Sequence, residues 1–136
     1  MPRSVCPPFS SAVVLCIGDN QDVLECEREF LETFGYTVLT ASTGCRGLEL
    51  ASTQSVDVVI LDYFVPTMNV PAVAMEMRRL RPRAPIILLT EGLGVPEPTL
   101  HLVDALVAKD RLASQLLPTI AYLHDCGRIP APSYDA

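Results

Sequence analysis

Four polar residues stand where four apolar runs stop. Asp19 follows Val13-Val14-Leu15-Cys16-Ile17-Gly18, and Asp62 ends Val58-Val59-Ile60-Leu61. Thr90 ends Ile86-Ile87-Leu88-Leu89, and Lys109 ends Ala105-Leu106-Val107-Ala108. Two carboxylates, a hydroxyl and an ammonium suit a metal ion and a phosphoryl group. Carboxylate oxygens hold a hard cation such as Mg²⁺. Lysine is a compact charge for a phosphate oxygen. A carboxylate can also be the covalent nucleophile once the charge of the incoming phosphate is offset. Phosphoryl transfer asks the protein mainly for such positioning and neutralisation.

The four residues act together only if the fold gathers the ends of the four runs. Short apolar runs that alternate with helix-like stretches read as buried parallel strands. Ligands of such sheets bind outside the carboxyl ends of the strands. The pattern predicts strands over about 12–18, 36–41, 56–62, 85–90 and 105–108. It predicts helices over about 21–34, 44–53, 70–80, 98–103 and 111–124. In the first helix Val23, Phe30, Leu31 and Phe34 form the expected inner face, with Glu25, Arg28, Glu29 and Glu32 outward. Gly35 suits the position after its end. Ser42 or Thr43 can cap the second helix, and Pro71 fits the first turn of the third. Pro118 falls inside the last helix, whose stripe is Leu112, Leu116, Ile120 and Leu123, and is expected to kink it.

Five strands alternating with five helices imply an α/β fold with helices on both faces of a parallel sheet. Right-handed crossovers leave few topologies. The flavodoxin-like, doubly wound order 2-1-3-4-5 fits, with its switch point between strands one and three. Asp19 and Asp62 end those two strands, so they should be neighbours.

Composition narrows the function. The chain has 136 residues, enough for one domain with a real core. Residues 12–124 are expected to form it, with a flexible arm at 1–11 and a flexible tail at 125–136, both proline-bearing. No apolar run is long enough to span a membrane, and the first residues do not resemble a signal peptide. A cytoplasmic location is expected. A net charge of −6 with no basic stripe argues against nucleic acid as a partner. Arg78, Arg79, Arg81 and Arg83 read as a solvated helix end. The five cysteines form no CxxC pair and read as small buried or half-buried thiols. His101 and His124 have no partner at ligand spacing and read as non-catalytic.

Over about residues 12–124 the chain resembles a bacterial response-regulator receiver domain, of the chemotaxis-receiver type. The resemblance rests on Val14-Leu15-Cys16-Ile17-Gly18-Asp19-Asn20, Asp57-Val58-Val59-Ile60-Leu61-Asp62-Tyr63, Pro66-Thr67-Met68-Asn69, Ile86-Ile87-Leu88-Leu89-Thr90 and Val107-Ala108-Lys109, in that order and spacing. It implies a phosphorelay function with Asp62 as phosphoacceptor for a histidine kinase or phosphotransfer protein. It further implies Mg²⁺ held by Asp19, Asp62 and the backbone carbonyl of Phe64. Thr90 would bond a phosphoryl oxygen, and Lys109 would pair with the acyl phosphate. On this reading the chain is not an enzyme beyond its own phosphorylation and dephosphorylation. It would act as a stand-alone receiver on a downstream protein target, with homodimerisation as an option of the family.

The chain departs from the family pattern at five positions. Gly18 stands where an acid is usual, so Mg²⁺ binding is expected to be weak. Glu91 stands for a small residue, Leu106 for an aromatic one, Asp110 for proline and Val70 for glycine. Glu91 reads as a solvated loop acid, a substitute contact near the metal, or a gate over the pocket. The alternative function is a degenerate receiver, a phosphorylation-independent protein-interaction module. A flavodoxin-like binding domain or enzyme of another kind is disfavoured, because no phosphate-cradling glycine-rich loop follows the first strand.

Overall fold

The computed structural model describes residues 12–63, 69–91 and 95–128. Its strands are β1 (Val13–Ile17), β2 (Thr37–Ala41), β3 (Val58–Asp62), β4 (Ile86–Thr90) and β5 (Ala105–Ala108). Its helices are α1 (Gln21–Thr33), α2 (Gly44–Thr53), α3 (Val70–Leu80), α4 (Glu97–Leu100) and α5 (Leu112–Arg128), the last preceded by a 3₁₀ turn over Lys109–Arg111. All strand pairs are parallel, in the order β2-β1-β3-β4-β5. This is the expected flavodoxin-like arrangement.

Alternation along the strands builds two cores. Leu15, Ile17, Val59, Leu61, Ile86 and Leu88 face α2 and α3, where Leu50, Ala51, Val73, Ala74 and Met77 complete one cluster. Val14, Cys16, Val58, Ile60, Ile87, Leu89 and Val107 form the other, with Leu24 and Leu31 of α1 and Leu116 and Ile120 of α5. Each fully buried Leu or Ile contributes roughly 1.5–3 kcal/mol. Gly47 lets α2 lie against β1, since a Cβ there would meet Ile17 Cδ1 at 2.3 Å.

The helix ends follow from local chemistry. Asn20 Oδ1 accepts from the backbone N–H of Asp22 at 3.0 Å and of Val23 at 3.2 Å, so Asn20 caps α1 and Asp19 does not. Gly35, at φ 96, closes α1 with Gly35 N–H on Glu32 O and Tyr36 N–H on Leu31 O. Thr43 caps α2 through Arg46 N–H at 3.0 Å.

Several elements differ from the sequence reading. The inner face of α1 is Leu24, Glu27 and Leu31; Phe34 caps the helix and is exposed. Arg28 is half-buried and donates to Thr40 Oγ1 at 2.9 Å. Helix α4 ends at Leu100 rather than near 103, because the chain tightens into i→i+3 bonds from Leu102 N–H and Val103 N–H. Helix α5 runs on to Arg128 with Pro118 inside it. The arginines are not simply solvated. Arg78 pairs with Asp104 at 2.8 Å, and Arg79 pairs with Glu76. Arg81 donates to Ala51 O at 2.8 Å and Gln54 O at 2.7 Å, tying α3 to the carboxyl end of α2. Of the described cysteines, Cys16 is buried and Cys26 and Cys45 are exposed free thiols. Among the described residues no helix is long and apolar enough to cross a membrane.

Candidate functional site

The strands end level with one another. Ile17 lies opposite Leu61, Asp62 opposite Leu89, and Thr90 opposite Ala108. Asp62 and Thr90 are therefore the last residues of adjacent central strands, Gly18-Asp19 leave β1 beside them, and Lys109 opens the turn after β5. The register that buries two apolar faces thus delivers all four predicted residues to one edge.

Asp62 is only 4% exposed, and a buried carboxylate needs a partner. Lys109 supplies it, with Nζ 2.9 Å from Asp62 Oδ2. The same ammonium lies 3.4 Å from Glu91 Oε2. Burial pulls the Lys109 ammonium down, but the hydrogen bond and charge of Asp62, and then of Glu91, outweigh it and hold its pKa above the ordinary lysine value. Lys109 is therefore a fixed positive charge at neutral pH. Glu91 is 58% exposed, so its bond to Lys109 is worth little to stability. Its position, beside Thr90 and on the lysine that serves Asp62, is that of a competitor for the site's cation.

Thr90 is buried at the end of β4. Asp19 is exposed, and with Asn20 serving as the cap its carboxylate is not spent on helix α1. Gly18 turns its Cα toward the aspartate: a Cβ there would stand 3.2 Å from Asp62 Cβ. Any side chain at position 18 would crowd the phosphoacceptor candidate. Among the described residues no three His, Cys, Asp or Glu side chains converge tightly enough to hold a metal by themselves. Phe64, whose carbonyl the resemblance assigns to the metal, lies outside the described residues, as do Pro66, Thr67 and Met68. Leu106 is 45% exposed on β5. His101, the residue that ends α4, stands 3.7 Å from Glu97, and both side chains are exposed.

One residue near the site escaped the sequence reading. Glu27 is 4% exposed on the inner face of α1. Burial pushes its pKa from 4.5 to about 7; the charge of Asp62 adds to the rise, while the Cys16 hydrogen bond and the charge of Lys109 oppose it. The signal was available: Glu27 follows Leu24 by one helical step and precedes Leu31 by another, so it interrupts an apolar stripe.

Comparison with known proteins agrees with this fold. Residues 14–105 match the response regulator receiver domain family. The match stops short of Lys109, which the fold nonetheless sets against Asp62. The alkaline phosphatase synthesis transcriptional regulatory protein PhoP of Bacillus subtilis is 31% identical over 77 residues, which is 57% of this chain and 32% of that protein. This chain thus matches about a third of that relative's length. A CheY-like receiver domain from Methanospirillum hungatei superposes with a TM-score of 0.79 at 24% identity, covering 87% of this chain and 97% of that one, and shows the fold. The response regulator TrrA of Thermotoga maritima, solved in complex with Mg²⁺-BeF, gives a TM-score of 0.76 at 28% identity, covering 82% and 98%. TrrA has also been solved in complex with the histidine kinase ThkA. The strand order, the level strand ends and a family match over most of the chain lead to one conclusion: this chain belongs to the response regulator receiver domain family.

Proposed function

We propose that the protein receives a phosphoryl group on Asp62 from a histidine kinase or phosphotransfer protein and signals by surface contact with a downstream protein. The observation that carries this reading is the buried Asp62 carboxylate held 2.9 Å from Lys109 Nζ at the carboxyl edge of the sheet. Lys109 holds one oxygen of Asp62 and stays charged, so it can follow that oxygen into an acyl phosphate. The Thr90 hydroxyl stands on the next strand to bond a phosphoryl oxygen. The donor set of Asp19 and Asp62 fits Mg²⁺, which needs only one or two carboxylates and keeps several waters. Mg²⁺, when bound, offsets the charge of the incoming phosphoryl group. With Gly18 in place of an acid, the expected affinity is weak.

A degenerate receiver has one observation in its favour. Glu91 draws on Lys109 and places a negative charge where the dianion must enter. The two readings separate on incubation with acetyl phosphate and Mg²⁺. The protein should gain the mass of one phosphoryl group, Asp62→Asn should gain none, and Lys109→Ala, which lacks the cation beside Asp62, should gain it more slowly. No gain under any phosphodonor would favour the interaction module.

A further inference from the structure

A cleft of about 700 Å³ opens at the amino ends of β3 and β4, the edge of the sheet opposite Asp62 and Thr90. Sites for small ligands usually measure roughly 300–1,000 Å³. The lining includes the buried residues Val56, Ala84 and Pro85. Arg81 and Arg83 join them from the turn between α3 and β4, and half-buried His124 from α5. The turn holds its arginines still. Ala84 N–H donates to Arg81 O at 3.0 Å, closing a four-residue turn with Pro82 at its second position. Pro82 and Pro85 each fix a backbone φ. The Arg81 guanidinium is fixed as well, because Nε and Nη2 donate to the carbonyls of Ala51 and Gln54. Those two bonds leave its Nη1 over. Arg83 is exposed, and its side chain has no hydrogen bond or ion pair among the described residues. The lining also holds the carboxylate of Asp57, whose Oδ2 accepts from Val13 N–H at 2.8 Å. The two guanidinium groups outnumber it, in a chain of net charge −6.

Two guanidinium groups on a rigid turn, beside buried apolar side chains, suit one kind of ligand. A guanidinium grips the oxygens of a phosphate or a carboxylate in a two-pronged bond. Groups held in place beforehand lose less freedom on binding. An apolar lining accepts a carbon skeleton. We propose that this cleft binds a small organic anion, with its phosphate or carboxylate group on Arg83 and Arg81 and its carbon skeleton along Val56, Ala84 and Pro85. The Ser55 hydroxyl and the His124 ring supply further polar atoms. Four residue steps of β3 separate this edge from Asp62, roughly 13 Å at about 3.3 Å per step. Binding here needs no phosphoryl group on Asp62.

The test is amide NMR of the whole chain, titrated separately with phenyl phosphate, benzoate, inorganic phosphate and benzyl alcohol. Phenyl phosphate or benzoate should give saturable shifts centred on Val56, Asp57, Arg83 and Ala84. Tighter binding of phenyl phosphate assigns the site to phosphate esters, and tighter binding of benzoate assigns it to carboxylates. Inorganic phosphate and benzyl alcohol each carry half of the recognition and should bind more weakly. Arg83→Ala should weaken the preferred probe by about tenfold, the scale of one charge-assisted contact. Arg83→Lys should recover part of that loss. Arg111→Ala removes another exposed arginine, outside the cleft, and should leave binding unchanged. The absence of saturable shifts at the cleft with both phenyl phosphate and benzoate would overturn the proposal. So would shifts confined to residues near Asp62 and Lys109, or inorganic phosphate binding as tightly as phenyl phosphate. Equal losses in Arg83→Ala and Arg111→Ala would also overturn it, since they mark a response to net charge alone.

Discussion

Substituting Glu27 by glutamine removes one ionisable group from the packed face of α1 while keeping its shape. The folded protein holds the Glu27 proton to about pH 7, whereas the unfolded chain releases it near 4.5. Stability from this group is therefore fully present below about pH 4.5 and is lost as pH rises through about 7. A gap of about 2.5 units, at about 1.4 kcal/mol per unit, makes the whole loss about 3 kcal/mol. Most of that loss, about 2–3 kcal/mol, falls between about pH 5 and about pH 8. Urea unfolding followed by circular dichroism at both pH values measures it. The native protein should lose about 2–3 kcal/mol more than Glu27→Gln over this interval, a difference of roughly 1–2 M in urea midpoint. Titration of the groups that do not act on Glu27 cancels in the comparison. Parallel pH dependences, within about 0.5 kcal/mol, would refute the reasoning and place an ionised carboxylate in α1 at neutral pH.

Other substitutions probe the frame and the pocket. Glu91→Gln frees Lys109 and should speed phosphorylation of Asp62 by about threefold at low salt, a gain that shrinks as salt screens the charge; an unchanged labelling rate would contradict the competition for Lys109. Gly18→Asp restores an acid at the strand end, and calorimetry should show Mg²⁺ binding tightened by about tenfold at most, because the new Cβ presses on Asp62. Gly47→Ala should cost about 1–3 kcal/mol in thermal or urea unfolding, since the added methyl overlaps the buried Ile17 side chain.

The site was legible because buried parallel strands appear in sequence as apolar runs. Their ends mark one edge of the sheet, so Asp62, Thr90 and Lys109 could be placed together from spacing alone. The start of helix α3 was legible from Pro71, which sits in its first turn. What depends on distant partners was not. Arg81 reads locally as a solvated cation, but its partners are the carbonyls of Ala51 and Gln54 on another helix. The α1 stripe was placed about one residue off, because Phe30 and Phe34 outweighed Leu24 and the charge of Glu27 argued for water. A one-residue error turns a helix face by roughly a quarter turn. That error hid the burial of Glu27 on α1. Glu91 reads locally as a loop acid, a contact near the metal or a gate, and only the fold shows which cation it engages.

The central claim is that Asp62 accepts a phosphoryl group. An acyl phosphate is reduced by borohydride to an alcohol, which fixes its position in the chain. After treatment with acetyl phosphate and Mg²⁺, then borohydride, peptide mass spectrometry should find homoserine at position 62 and at no other aspartate. Reduction at Asp19, or at no residue while the fold is intact, would contradict the account.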